Sequence, residues 1–245
     1  MPPAAGGMIP PDPCNGRRFS RFFGHWPEPP WQRRPMGPAP LRCTQKLLYI
    51  SLKEKKMKRL IVGISGASGV VYGIRLLEVL RHIADVETHC IISSGAAVTL
   101  ALETKYTVDE VLALADVVHD HGNLAAAISS GSFPVCGMVV IPCSMKSLAQ
   151  IALSLNDNLL TRAADVTLKE RRKLVVVPRE TPLHLGHLRH MVALAEMGAV
   201  ILPPAPSFYH APKTIMDVVD QTVGKVLDQF EISHELFRRW DGHGA

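Results

Sequence analysis

The sequence predicts an α/β fold with a mostly parallel sheet, and three observations support this prediction. From Met57 onwards, short apolar runs alternate with longer amphipathic stretches. The apolar runs end at glycine, serine or proline, which are residues that stop strands and begin loops. No apolar run reaches the roughly 20 residues that a membrane-spanning helix needs. Strands that alternate with helices of this length imply parallel strands joined by right-handed crossovers.

The first half of this region contains two strand segments and three helical segments. Arg59–Ile64 is an apolar, β-branched run before a glycine-rich loop, as is typical of a buried strand. Val70–Ile83 follows it, with leucine and isoleucine at helical spacing. Glu87–Ile92 is predicted to be the second strand. Ala96–Leu102 and Val108–Leu114 are predicted to be helical.

The second half continues the same alternation. Met138–Ile141 and Leu174–Val177 are short apolar strands, and the proline after each is expected to stop it. Between and after them, the predicted elements in chain order are the helices Ser147–Leu155 and Asn158–Arg172, the helix Leu188–Met197, the strand Ala199–Leu202 and the helix Ile215–Phe230.

Residues 1–56 differ in composition from the rest of the chain. They hold 11 of the 19 prolines, and proline fixes φ and removes a hydrogen-bond donor, so we expect this leader to be disordered. An arginine-rich leader is also found in transit peptides, although so much proline disfavours their amphipathic helix. Lys53-Glu54 can be encoded by the ribosome-binding sequence AAGGAG, two codons before Met57. We therefore hypothesise that native translation starts at Met57 and that residues 57–245 form a single domain.

The distribution of charge argues against a nucleic-acid-binding domain. The net charge is +5, but the leader holds ten basic and three acidic residues, or +7, which leaves −2 for residues 57–245. A nucleic-acid binder would carry its basic surface on the folded region. The five cysteines lack paired spacing, which argues against a disulfide scaffold and makes a cytoplasmic location the expectation.

Three loops at strand ends have residues that suit an anion. In Gly63–Gly69, glycine lets a ligand approach the backbone and the following helix start favours phosphate. Pro142–Ser147 (PCSMKS) offers hydroxyls, amides and one cation, and Ser93-Ser94-Gly95 repeats the pattern after the second strand. Because ligands of open α/β sheets bind outside the carboxyl ends of strands, these loops predict a binding crevice. A tight turn and an ordinary N-cap are the alternatives for the first two loops.

Other polar residues allow weaker interpretations. His184, His187 and His190 would diverge around a helix, so we predict no metal site. Cys143 is a possible nucleophile, but a cysteine at a strand end is more often a small buried hydrophobe. Lys169 suits phosphate recognition, and a solvated helix end is its alternative interpretation.

From Met57 to Gly242 the chain resembles the flavin prenyltransferases of the UbiX/Pad family, formerly described as aromatic acid decarboxylases. The matching segments run in family order: Gly63–Gly69 (GISGASG), Ile141–Ser147 (IPCSMKS), Arg162–Arg172 (RAADVTLKERR), Val177–Pro182 (VPRETP), Pro203–Tyr209 (PPAPSFY) and Val226–Phe230 (VLDQF). The resemblance implies a Rossmann-like, flavodoxin-type three-layer sandwich and a homododecamer.

The resemblance also implies an activity. Such enzymes join the dimethylallyl group of dimethylallyl phosphate to N5 and C6 of reduced FMN without a metal, and the prenylated FMN serves UbiD-type decarboxylases. We therefore expect dimethylallyl phosphate, further copies of the chain and such a decarboxylase as partners, with no nucleic acid and no membrane span. The alternatives are a flavin-dependent cysteine decarboxylase of the phosphopantothenoylcysteine type and a non-enzymatic, flavodoxin-like FMN carrier.

The resemblance assigns site residues in three sets. The residues expected to bind FMN are Gly66, Ala67, Ser68, Ser93, Ser144, Met145, Lys146, Ser147 and Arg179. Those expected around dimethylallyl phosphate are Arg162, Lys169, Glu180, Tyr209 and Lys225. The catalytic candidates are Ser68, Glu103 and Glu180. Ser147 stands where the family usually has threonine, and Lys225 stands where arginine is frequent, which keeps the charge without the bidentate fork.

Overall fold

A computed structural model describes residues 57–240 and 242 of the chain. The predictions for the leader, residues 1–56, lie outside these described residues. No helix in the described part is long and apolar enough to cross a membrane.

Within the described residues, six strands form one sheet in which every neighbouring pair is parallel. The strands are β1 (Lys58–Ile64), β2 (Val86–Ile92), β3 (Val117–His119), β4 (Gly137–Cys143), β5 (Lys173–Pro178) and β6 (Val200–Ile201). Their order across the sheet is β3-β2-β1-β4-β5-β6, which is the Rossmann order. The winding direction therefore reverses between β1 and β4, and a crevice is expected outside their carboxyl ends.

Seven α-helices join and cover these strands in the same part of the chain. They are α1 (Val70–Leu80), α2 (Ser94–Glu103), α3 (Val108–Leu112), α4 (Met145–Ala152), α5 (Leu159–Lys169), α6 (Leu185–Glu196) and α7 (Ile215–Gln229). A single 3₁₀ turn, Ala127–Ser129, precedes β4.

The sheet is buried on both faces, and this produces the three layers that were expected. Side chains alternate along a strand, so Leu60 and Val62 of β1 face one core while Ile61 faces the other. The first core contains residues of α1 and α7, and the second contains residues of α4, α5 and α6. Apolar residues on both faces of the strands explain why the runs in the sequence are continuous rather than alternating.

The structure differs from the sequence prediction at two strands, and elsewhere the predicted element ends shift by up to three residues. Strand β4 was expected to stop at Ile141, but it continues through Pro142 to Cys143, with an irregular register between Val140 and Cys143. Proline is tolerated at such a point because a bulge removes the need for its missing N–H. Strand β3 was missed because it has only three residues, at the sheet edge.

Candidate functional site

A cavity of about 260 Å³ lies outside the carboxyl ends of β1, β2 and β4. Five of the nine residues predicted to bind FMN line it, namely Gly66, Ser93, Ser144, Lys146 and Ser147. The remaining lining residues are Ser94, Gly95, His121, Gln150 and Asn158. The prediction that the strand-end loops form one crevice is therefore consistent with the geometry.

Three helices begin at this cavity. The N-cap residues of α2, α4 and α5 are Ser93, Ser144 and Asn158, and all three line it. Their side-chain oxygens accept hydrogen bonds from backbone amides in the first turn, at 3.1, 3.2 and 3.0 Å respectively. Helix starts carry unpaired N–H groups and partial positive charge, and Lys146 adds a full one. The cavity is therefore suited to a phosphate group.

The first loop passes so close to the start of α2 that a side chain has no room between them. A Cβ atom on Gly66 would lie 2.7 Å from the carbonyl carbon of Gly95 and 2.8 Å from its Cα. Both contacts are with backbone, which cannot rotate away. Glycine at position 66 thus lets the two loops form one wall of the cavity.

Ser65 connects the loop after β1 to the loop after β4. Its buried hydroxyl donates to the carbonyl of Pro142 at 3.0 Å and accepts from the amide of Ser144 at 2.7 Å. The hydroxyl of Ser144 in turn donates to that of Ser147 at 3.1 Å. These bonds hold the start of α4 against the first loop.

Ser68 and Glu103, predicted as a catalytic pair, are in contact. A carboxylate oxygen of Glu103 accepts from the amides of Gly69 at 2.8 Å and Val70 at 3.3 Å, and Ser68 also donates to this carboxylate. Partial burial acts to raise the pKa of Glu103, but these hydrogen bonds and the charge of Arg179 outweigh it, so the pKa lies below its ordinary value. Glu103 is therefore ionised and fixed at the start of α1.

Arg179 follows β5, and its positive charge acts on Glu103 and on Tyr72. Its amide donates to the carbonyl of Cys143 at 3.2 Å, which continues the β4–β5 pairing. Burial raises the pKa of Tyr72, and the charge of Arg179 opposes that rise. The side chain of Arg179 is exposed and does not line the cavity.

The other predicted FMN residues lie beside the cavity rather than in its wall. Ala67 is buried within the first loop, and Met145 packs against the core beneath α4. Glu180, which was predicted as a catalytic and dimethylallyl phosphate residue, is exposed after β5, and its carboxylate accepts from the amide of Thr181 at 3.0 Å.

The residues predicted around dimethylallyl phosphate do not come together within one chain. Arg162 and Lys169 are seven residues apart on α5, which is about 10 Å along a helix. The Nε of Arg162 donates to the carbonyl of Ser129 at 3.2 Å, and Lys169 pairs with Glu170 at 2.5 Å. Lys169 ends the helix that leads into β5, so it lies at the amino-terminal edge of the sheet, opposite the cavity.

Lys225 and Tyr209 belong to a different neighbourhood. The Nζ of Lys225 lies 3.5 Å from a carboxylate oxygen of Asp228, near the end of α7. That end also lies at the amino-terminal edge, because Lys173 at the start of β5 donates to the carbonyl of Gln229. The ring of Tyr209 packs edge-on against Trp240, with 5.9 Å between centroids.

The residues given weaker interpretations have structural roles here. Cys143 is fully buried and its pKa is raised by that burial, so it is not a thiolate nucleophile. His184 caps α6 by accepting from the amide of Gly186 at 3.0 Å, and its ring lies 3.6 Å from that of His187. Within residues 57–240 and 242, no group of three or more histidine, cysteine or carboxylate residues is arranged to hold a metal ion.

His121, Gln150 and Asn158 are lining residues that sequence reasoning missed. His121 follows β3, Gln150 lies on α4 and Asn158 caps α5, so no short motif contains them. Only Asn158 carried a signal, since an asparagine directly before an apolar helix is typical of an N-cap.

Comparison with known proteins agrees with the geometry. The family model described as Flavoprotein matches residues 48–239. The flavin prenyltransferase UbiX of Escherichia coli (strain K12) is 62% identical over 188 residues, which cover 76% of this chain and 100% of that protein. The UbiX of Thauera aromatica is 56% identical over 185 residues, which cover 76% of this chain and 95% of that protein.

Two solved structures are similar in fold and sequence. A dodecameric FMN-dependent UbiX-like decarboxylase from Escherichia coli O157:H7 has a TM-score of 0.74 at 52% identity and covers 75% of this chain and 100% of its own. AnUbiX (PadA1), solved in complex with FMN and dimethylallyl pyrophosphate, has a TM-score of 0.75 at 48% identity and covers 77% of this chain and 100% of its own. The resemblance found in the sequence is thus confirmed, and the chain belongs to the UbiX-type flavin prenyltransferases within the flavoprotein family.

Proposed function

We propose that this protein transfers the dimethylallyl group of dimethylallyl phosphate to N5 and C6 of reduced FMN. The observation that carries the proposal is the cavity at which the N-termini of α2, α4 and α5 meet beside Lys146. The amides and the positive charge of this cavity fit the phosphate of FMN. Relatives of the chain at 56–62% identity are named flavin prenyltransferases. Reduced FMN, when bound, supplies the nucleophilic ring atoms.

The residues around the cavity have separate tasks in this proposal. Ser93, Ser144 and Ser147 present helix-start amides to the FMN phosphate, the hydroxyls of Ser93 and Ser147 donate to it, and Lys146 balances its charge. Gly66 lets the cofactor approach the backbone. Ala67, Met145 and Arg179 complete the FMN site, by resemblance.

Ser68 and Glu103 are suited to moving a proton. Ionised Glu103 accepts from the Ser68 hydroxyl, so Ser68 Oγ is held with its lone pairs turned away from that carboxylate. A hydroxyl held in this way accepts a proton from a neighbouring group as it passes its own to the carboxylate. Glu180, exposed beside Arg179 at the end of β5, is the second candidate.

The cations stabilise the departing phosphate. Breaking an allylic C–O bond builds negative charge on phosphate, and fixed positive groups at Arg162, Lys169 and Lys225 would stabilise that charge without a metal. Tyr209 would donate a hydrogen bond to it. We infer that Lys169 and Lys225 reach the cavity from a neighbouring copy, because both lie at the opposite sheet edge within one chain. A dodecamer, as named for one solved relative, is the expected assembly.

The product has a dedicated consumer in this proposal. The product is prenylated FMN, and the phosphate released in the reaction is that of the prenyl donor. A modified flavin is useful only to an enzyme that takes it up as a cofactor. By resemblance we assign that role to a UbiD-type decarboxylase. We place both proteins in the cytoplasm, where the free thiols of Cys90, Cys136 and Cys143 would stay reduced.

The central experiment mixes the protein anaerobically with reduced FMN and dimethylallyl phosphate and measures the mass of the flavin. We expect an increase of one C5 unit. Lys225→Ala should raise the KM for dimethylallyl phosphate while the dissociation constant of FMN stays within about twofold. A flavin of unchanged mass with the wild-type protein would contradict the proposed function, and equal loss of both affinities would contradict the assignment of Lys225.

Co-expression of two weakened variants, assayed at FMN and dimethylallyl phosphate concentrations too low for either variant alone to turn over, tests whether the site combines residues of different copies. Lys146→Ala removes a cavity residue and Lys225→Ala removes a residue of the opposite edge. If the two positions come from neighbouring copies, about a quarter of the sites in a mixed oligomer hold both lysines, and activity returns. Each variant expressed alone is the control. Activity that stays at the level of the single variants would show that one chain supplies both residues.

A further inference from the structure

The C-terminal residues 231–240 fold back onto α7 around a single carboxylate, Asp228. Its Oδ1 accepts from Arg239 Nη2 at 2.7 Å and lies 3.2 Å from Nε2 of His234. Its Oδ2 accepts from Arg239 Nη1 at 3.2 Å and lies 3.5 Å from Nζ of Lys225. Asp228 therefore holds Arg239 and Lys225 beside each other.

The packing beneath this tail shows that its position is specified by the fold. Gly224 of α7 is buried, and a Cβ atom there would lie 2.4 Å from the ring of Phe237 and 2.5 Å from that of His234. The side chain of His234 is only 2% exposed. Both rings pack against the helix at Gly224, where the missing side chain leaves room for them. The position of the tail on α7 is therefore fixed by this packing.

The end of the tail reaches Tyr209. Trp240 contacts the ring of Tyr209 edge-on, and Arg239 lies over the ring of Phe237 at 5.6 Å from its centroid. The tail therefore contacts two of the residues assigned to the phosphate of the prenyl donor. Trp240 packs against Tyr209, and Arg239 shares the carboxylate of Asp228 with Lys225.

We propose that Arg239 is a further ligand of the phosphate of the prenyl donor, presented beside Lys225 and Tyr209 by the seated C-terminal tail. This inference rests on the proposed function. The hydrogen bonds to Asp228 and the charge of Glu235 both raise the pKa of Arg239, so its guanidinium stays fully charged. A guanidinium has five N–H donors, and a single carboxylate does not accept from all of them. The side chain of Arg239 is also 57% exposed. Nη1 and Nη2 of Arg239 already hold Asp228, so the phosphate would bind the remaining N–H groups of the guanidinium, which form a second planar fork that Lys225 lacks.

The test compares Arg239→Gln with Arg238→Gln in the full chain, since the second variant removes the same charge one residue earlier. Titration calorimetry with dimethylallyl phosphate should show a dissociation constant about tenfold higher for Arg239→Gln, the loss typical of one charge-assisted hydrogen bond. The KM should rise in parallel. Arg238→Gln should stay within about twofold of wild type, and Arg239→Lys should recover part of the loss.

Two further readouts separate phosphate binding from an effect on folding. FMN affinity should be unchanged in Arg239→Gln, because the residue is remote from the cavity of its own chain, and the thermal midpoint should fall by no more than about 4 °C, the effect of losing an exposed ion pair with Asp228. Inhibition by dimethylallyl alcohol, which lacks phosphate, should also be unchanged. A dissociation constant for dimethylallyl phosphate equal to that of wild type would overturn the inference and leave the proposed function standing. A wild-type protein that binds FMN but not dimethylallyl phosphate would overturn both.

Discussion

Replacing Gly66 with alanine tests whether the cavity depends on the close approach of two backbones. The new Cβ would lie 2.7 Å from the carbonyl carbon of Gly95, whereas ordinary contact begins at 3.4 Å. The first loop and the start of α2 must therefore separate by about 0.7 Å, the difference between these distances. Overpacking of this kind costs about 1 to 3 kcal/mol in the free energy of unfolding. For a domain of this size, the thermal midpoint should fall by roughly 3 to 9 °C.

The same separation should weaken FMN binding, because the amides and hydroxyls of the two loops no longer converge on one phosphate. We expect the dissociation constant of FMN, measured by fluorescence titration, to rise at least about tenfold, the effect of losing one good charge-assisted hydrogen bond.

Two other glycines supply a graded control for this prediction. A Cβ on Gly95 would lie 3.3 Å from Gly66 Cα, so Gly95→Ala should have a milder effect. A Cβ on Gly122 would meet nothing closer than 3.7 Å, so Gly122→Ala should change the thermal midpoint by less than about 2 °C. If Gly66→Ala bound FMN as tightly and melted as high as Gly122→Ala, the argument from backbone approach would be refuted.

Three further predictions concern charge and burial at the site. Lys146→Ala should raise the dissociation constant of FMN about tenfold, with a weaker dependence on salt than wild type shows; an unchanged constant would remove Lys146 from the phosphate site. Glu103 has a lowered pKa, so its contribution to stability is present above the ordinary value of 4.5 and is lost as pH falls through the folded-state pKa. Glu103→Gln should flatten the dependence of the thermal midpoint on pH below pH 4.5, and an acid profile that matches wild type would contradict this. Cys143→Ala should keep prenyl transfer, and the native Cys143 thiol should resist iodoacetamide until the protein is unfolded; rapid labelling of the folded protein would show that it is not buried.

The cavity was predictable from sequence because most of its lining residues follow apolar strands directly. A run such as Arg59–Ile64 identifies a buried strand, and the topology of a parallel sheet then brings every following loop to one edge. Ser93, Ser144 and Lys146 were found in this way, without knowledge of any contact between them. The same rule does not find His121 or Gln150, because one follows a three-residue edge strand and the other lies within a helix.

The arrangement of the residues proposed to bind the donor phosphate was not predictable from sequence. The segment Arg162–Arg172 contains two of the proposed cations in one motif, but a helix carries Lys169 two turns away from Arg162 and toward the opposite edge of the sheet. The role proposed for Arg239 had no sequence signal, since the position of Arg239 depends on how the tail packs on Gly224. Sequence spacing describes neighbours along one element, whereas these groups are arranged by the packing of separate elements.

The buried hydroxyl of Ser65 has a consequence for protein engineering. It joins the end of β1 to the loop after β4 across the point where the winding of the sheet reverses. The two loops therefore depend on each other. If Gly63–Gly69 alone were grafted into another protein, the buried hydroxyl of Ser65 would lose its hydrogen bonds to Pro142 and Ser144. A design that keeps this wall of the cavity must therefore transfer residues 63–69 and 141–147 together.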